Sequence, residues 1–174
     1  MLRRFRFAAV LWSLLATAAF AAVVATPVFV QFPNNGKAQI INGSGFYVIA
    51  ADGASVTNTV LLYTCETTNG AASKIVSITA SSNDTVARDV TVFLINASKA
   101  YPITTVTLPI NAGTSAATAP VALMTPITMP GYPLDSDGNP YLTCVTGDTI
   151  RVGVPTAVVT ATKVISVIAV AADY

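Results

Sequence analysis

The stretch Ser73-Lys-Ile-Val-Ser-Ile-Thr-Ala-Ser-Ser82 is the clearest sign of how this chain of 174 residues folds. It sets the apolar residues Ile75 and Ile78 among small hydroxyl side chains, an alternation expected of a half-buried β-strand. Asp89–Asn96 is a near-continuous apolar run that predicts a central strand, and Lys163–Ala172 predicts a long final strand. Further short strands are predicted at Pro27–Phe32, Lys37–Asn42, Phe46–Ala50, Val56–Cys65, Tyr101–Leu108 and Thr149–Val154.

The composition of the whole chain agrees with these strands. It contains 22 Val, 12 Ile and 23 Thr, whose β-branched side chains pack well on a pleated sheet. After residue 25 no window of helical periodicity stands out. Residues 26–174 are therefore predicted to form a single all-β domain, a β-sandwich or jelly roll of about seven to nine mainly antiparallel strands.

Residues 1–25 form a separate hydrophobic leader, predicted to be helical. Three arginines within the first six residues precede an apolar run from Phe7 to Val24, which is the pattern of a secretory signal peptide. The run is also near the length that spans a bilayer. A second interpretation is a mis-assigned start, with translation beginning at Val23 or Val24. The two interpretations place the protein in different compartments.

Charge and residue types exclude several function classes. From Thr26 onward there are six basic and eight acidic residues. This part of the chain therefore lacks the clustered excess of Lys and Arg with which proteins bind nucleic acid. The chain has no histidine, which removes Ser-His-Asp and Cys-His catalysis. The sequence Gly43-Ser44-Gly45 lacks the flanks of a nucleophile elbow. A Ser/Lys dyad is left open, but we expect no enzyme and assign no catalytic or cofactor-binding residue.

One short segment resembles the opening of a calcium-binding loop. Asp135, Asp137 and Asn139 place side-chain oxygens at positions 1, 3 and 5, but Pro140 stands at position 6 and Thr146 at position 12, where a full loop has Gly and Glu. The alternative is a turn in which Asp and Asn side chains bond to their own backbone. The turn is the favoured interpretation, and no cofactor is predicted beyond this weak calcium candidate.

Cys65 and Cys144 are the only two cysteines. In an exported protein they are a candidate disulfide that closes a loop of about 80 residues and contributes about 4 kcal/mol. In a protein that stays in the cytosol, both are expected to act as small core hydrophobes.

The stretch Ala112–Tyr141 differs from the rest because it contains five prolines. Proline removes hydrogen-bond donors from a sheet, so this stretch is predicted to be a long excursion between strands. Such excursions are usually functional or disordered. Its aromatic side chains either anchor a partner or pack the loop onto the domain. The candidate interaction residues are Met129, Tyr132, Leu134 and Tyr141.

From residue 25 onward the chain resembles a family of small proteins of tailed phages and prophages. The resemblance is carried by Ala25–Phe29, Ser73–Ile78, Ala87–Val90, the run Met129-Pro-Gly-Tyr-Pro-Leu-Asp-Ser-Asp-Gly-Asn-Pro-Tyr141, and Lys163–Tyr174. Family members begin close to Met-Ala-Thr-Pro, which aligns Val24 with their initiator and favours the mis-assigned start.

The resemblance implies a virion structural protein encoded near capsid genes, of the head-decoration or cement type. Its expected partners are capsid or other virion proteins and further copies of itself, and its expected location is the virion after assembly in the host cytoplasm. The alternative is a secreted or periplasmic β-sandwich adhesin or surface-structure component, exported by a true signal peptide. Membrane contact is expected only through a retained leader.

Overall fold

The structure is a computed structural model, and it describes residues 39–41, 48–49, 56–65, 72–156, 158 and 162–173. These residues are all-β and contain no helix. The leader at 1–25 and the predicted strand Pro27–Phe32 lie outside them. The described residues form eleven strands, and nine of these belong to two larger antiparallel sheets.

The first sheet has five strands. Its centre is the antiparallel pair of β5 and β11, which stay in register over nine residue pairs with one bulge. β1 pairs with the other edge of β11, while β8 and β9 pair with different parts of the other edge of β5. The strands are β1 (Gln39–Ile41), β5 (Ser73–Ser82), β8 (Val121–Ala122), β9 (Leu142–Cys144) and β11 (Ile165–Asp173).

The second sheet has four strands in the order β4-β10-β6-β7. β6 and β7 form a hairpin whose two loop residues, Ala97 and Ser98, both have positive φ. Such a loop matches the right-handed twist of the strands. The strands are β4 (Val60–Thr64), β6 (Arg88–Asn96), β7 (Lys99–Leu108) and β10 (Thr149–Gly153), and a separate pair is formed by β2 (Val48–Ile49) and β3 (Val56–Thr57).

The inward faces of both larger sheets contribute to one hydrophobic core. Period-two alternation explains this, because every second residue of β11 from Ile165 to Ala171 is buried, and β5 alternates likewise on each side of its bulge. Burial of such side chains contributes about 1.5–3 kcal/mol each. The largest fully buried apolar side chains of this core are Leu62, Ile75, Ile78, Leu108, Leu123, Met129, Ile150, Ile165, Val90, Val92 and Val152.

The all-β prediction and the antiparallel pairing are confirmed. The central position predicted for Asp89–Asn96 is also confirmed, because β6 lies between β10 and β7. Val56–Cys65 is not one strand but two, separated at Asn58, whose φ is 58°. The jelly-roll alternative and the N-terminal helix are not confirmed.

Candidate functional site

The proline-rich excursion is anchored to the core. Leu123 and Met129 are fully buried and Met124 is nearly so, which places three large apolar side chains of the excursion among those of the two sheets. Leu123 N–H also donates to the carbonyl of Ile78 on β5 at 2.8 Å. The excursion therefore has a fixed position relative to the sheets.

Within the excursion, the turn Thr125–Met129 is held by threonine side chains. The hydroxyl of Thr128 accepts a bond from the N–H of Thr125 at 2.9 Å and donates to the carbonyl of Leu123 at 2.8 Å. From β7, the hydroxyl of Thr104 donates to the carbonyl of Thr128 at 3.0 Å. These bonds satisfy backbone groups that a proline-rich turn leaves without ladder partners.

This bracing determines which apolar side chains the excursion presents to solvent. Ile127, at the tip of the turn, is 90% exposed, and Leu134 is 52% exposed. The excursion thus presents two large apolar side chains to solvent on a backbone of fixed position. The sequence prediction missed Ile127, whose only signal is its place between two turn-forming residues.

The four predicted interaction residues fall into two groups. Leu134 is exposed, as a contact residue must be. Met129 is 1% exposed and belongs to the core, so its side chain is not presented to a partner. Tyr132 is partly buried against the core, and the ring of Tyr141 lies 4.0 Å below the Lys74 ammonium. All three aromatic or sulfur-bearing candidates thus contact the body of the domain.

The calcium candidate is arranged as a turn. The Asp135 carboxylate oxygen Oδ1 accepts bonds from the backbone N–H groups of Asn139 at 2.8 Å and Asp137 at 3.0 Å. The bond from Asn139 is the main reason that the pKa of Asp135 lies below its usual value. This geometry supports the turn interpretation. The described residues contain no group of three or more His, Cys, Asp and Glu side chains that could hold a metal ion.

Cys65 and Cys144 form a disulfide in the structure. Cys65 follows β4 of the four-stranded sheet and Cys144 ends β9 of the five-stranded sheet, so the bond links the two sheets at one end. Both residues are buried, with exposures of 1% and 3%. Of the two alternatives that the sequence leaves open, the structure has the bonded pair.

A buried carboxylate braces the turn beside this disulfide. Asp148 accepts a bond from the side-chain amide of Asn96 at 2.7 Å and one from the N–H of Val145 at 3.2 Å. The backbone carbonyl of Asp148 accepts a hydrogen bond from the N–H of Cys65 at 2.9 Å. Two of these bonds hold backbone groups and the third holds the Asn96 side chain at the end of β6, so Asp148 is used for structure.

The second buried acid, Asp84, lies in the connection between β5 and β6. Its carboxylate accepts a bond from Arg88 Nε at 2.8 Å and one from the N–H of Val86 at 3.2 Å. Burial raises the pKa of Asp84, but the bond from Arg88, the backbone donors and the guanidinium charge outweigh it, so the pKa is lowered. A carboxylate held ionised in this way is suited to an ion pair and unsuited to act as a general acid.

Comparisons with known proteins give no match: no protein-family model, no curated protein and no solved structure matches this chain. Among the described residues, no helix has the length and apolar character needed to cross a bilayer.

Proposed function

We propose that this protein is a non-enzymatic structural component of a phage or prophage virion, a decoration or cement-type module with a β-sandwich scaffold. Its mechanism is burial of exposed apolar side chains against capsid proteins and against further copies of itself. It would be assembled in the host cytoplasm and located in the virion. The tailed-phage resemblance of residues 25–174 supports this assignment.

The observation that carries the proposal is the fixed presentation of Ile127. A contact residue on a mobile loop loses conformational freedom when it binds, whereas a turn already held by hydrogen bonds loses little. The turn Thr125–Met129 is fastened both to the core and to β7. An apolar side chain 90% exposed on such a support is suited to insert into a complementary surface.

The roles of the buried acids support the non-enzymatic part of the proposal. Asp84 is engaged with Arg88, and Asp148 with Asn96 and the turn at Val145. Their hydrogen bonds hold the ends of strands in place, which suits a structural protein.

A second candidate is a secreted or periplasmic adhesin or surface-structure component, and the disulfide favours it. Disulfides persist in oxidising compartments and on virion and cell surfaces. Such bonds are rare in the cytosol, so in the leading candidate Cys65–Cys144 would form after the particle leaves the host, whereas a true signal peptide would deliver the chain directly to an oxidising compartment.

Mass spectrometry of purified particles from the producing cells tests the leading proposal. We expect the protein at a fixed ratio to the major capsid protein, with Ala25 or Thr26 close to its N-terminus. Its absence from particles, together with failure of the purified protein to bind them, would overturn the proposal. Recovery of the protein in the medium of cells that make no particles, cleaved after Ala21 or Ala25, would establish the second candidate.

A further inference from the structure

The outward face of the five-stranded sheet has an apolar patch on β11 and the neighbouring part of β5. On β11 the inward residues are buried, yet the outward residues Ile168 and Val170 are apolar as well and are 46% and 41% exposed. Val76 on β5, 37% exposed, lies at the bulge opposite Val170. A strand in a sheet with one solvated face normally alternates apolar with polar residues. Strands that are apolar on both sides are typical of sheets covered on both faces.

We infer that a second copy of this chain covers this face in a two-fold contact of sheet against sheet. The face is defined by Val76, Thr79, Ser166, Ile168 and Val170. The inference deepens the proposed function and rests on its assembly role, because it identifies the surface through which copies of the protein associate.

The charge pattern favours a second copy over a different partner. Between them, β5 and β11 carry only two charged residues, Lys74 and Asp173, and both lie at the same end of the pair. In a two-fold contact the centre of the face meets itself, so any charge there would oppose a like charge. The centre of the face holds only Ser, Thr, Val and Ile, so two copies bring no like charges together there.

The size of the face limits the strength of this association. β5 and β11 have ten and nine residues, and β1, β8 and β9 have three, two and three. At a strand spacing of about 4.8 Å and a rise of about 3.4 Å per residue, these strands give a face of about 440 Å² before side-chain relief is counted. Standard interfaces bury about 800 Å² per partner, so a weak dimer is expected.

The long edge strand of the other sheet is a poorer route for association. β7 carries Pro102, which has no N–H to donate, and a bulge next to it. Proline and bulges are the devices by which edge strands avoid pairing with another chain. Association through the outward face of β5 and β11 meets no such obstacle.

Sedimentation velocity over a dilution series of the purified chain tests this inference. Wild type is expected to dimerise weakly as its concentration rises, and Ile168→Thr/Val170→Thr, which keeps β-branched residues in the strand, is expected to weaken the dimer at least about tenfold. Val86→Thr, which removes an apolar group that is 54% exposed outside this face, should leave the dimer unchanged. A monomeric wild type, or equal weakening by Val86→Thr, would overturn the inference.

NMR of methyl-labelled wild type over a dilution series tests the same inference and does not depend on the folding of a variant. Methyl signals of Ile168, Val170 and Val76 should shift with concentration while that of Val86 does not. The reverse pattern would overturn the inference. A monomer that still binds particles would refute this dimer and leave the proposed function standing, whereas a dimer without affinity for particles would refute the proposed function alone.

Discussion

Replacement of Cys65 and Cys144 by alanine tests how far the two sheets depend on the bond between them. The bond joins residues separated by 79 positions and lies where β4 and β9, from different sheets, come together. Without it, the unfolded chain gains the freedom to separate these two points. The folded chain loses only two small buried side chains and keeps the Asp148 turn beside them.

The expected loss of stability follows from the entropy of closing the loop between the two cysteines. For a loop of about 80 residues the chain-entropy relation gives about 15 cal/mol/K, or about 4.5 kcal/mol at 25 °C. A domain of about 150 residues changes its Tm by about 2–4 °C per kcal/mol, so the double variant should melt about 9–18 °C below the oxidised wild type. Removal of a native disulfide from a small secreted domain typically costs about 2–5 kcal/mol, a range that contains this value.

The assay is urea denaturation of oxidised wild type, reduced wild type and Cys65→Ala/Cys144→Ala. Reduced wild type and the variant should agree within about 1 kcal/mol, and both should lie well below the oxidised protein. Reduction of the wild type serves as the control because it changes no residue. If the oxidised protein is no more stable than the variant, the bond does not constrain the unfolded chain and the reasoning fails.

Two further perturbations probe the bracing of the loops. Gly113→Ala should cost about 2–5 kcal/mol, because the added Cβ would lie 2.8 Å from the Cβ of Ser81 at a φ of +71°. Gly131→Ala, at a φ of +83° with open space around it, should cost only the backbone strain of about 1–2 kcal/mol; equal losses in urea denaturation would contradict this contrast. Asp84→Asn should destabilise by about 2–3 kcal/mol at pH 7 because it breaks a largely buried pair with Arg88. Since the pKa of Asp84 is lowered by folding, the stabilisation is present above its unfolded value of about 3.9 and is lost as pH falls through the folded value. The gap between wild type and Asp84→Asn should therefore close in acid, and a gap independent of pH would refute the ion pair.

The sheets were predictable because their signal is local. β5, β6 and β11 each show apolar residues with a period set by the pleat, and the structure places each within two residues of the predicted bounds. β9 was not predicted, because Leu142–Cys144 is short and follows directly on the proline-rich excursion. A strand of three residues carries too few positions to establish a period.

The contacts of the excursion could not be predicted, because they depend on residues distant in the chain. Prolines indicated a surface loop, and nothing local indicated that Met129 would reach the core or that Thr104 would bond to Thr128. The Cys65–Cys144 disulfide also depends on residues distant in the chain, because it forms where the two sheets come together. The exposure of Ile127 became visible only once the turn around it was placed.

Binding of the purified chain to particles that lack it tests the central claim most directly. Wild type should co-sediment with such particles to saturation, and Ile127→Asp/Leu134→Asp should lose this binding. Val86→Asp is the matched control, since Val86 is 54% exposed outside the excursion. Undiminished binding by Ile127→Asp/Leu134→Asp, or no saturable binding by wild type, would contradict the claim that this excursion attaches the protein to its assembly.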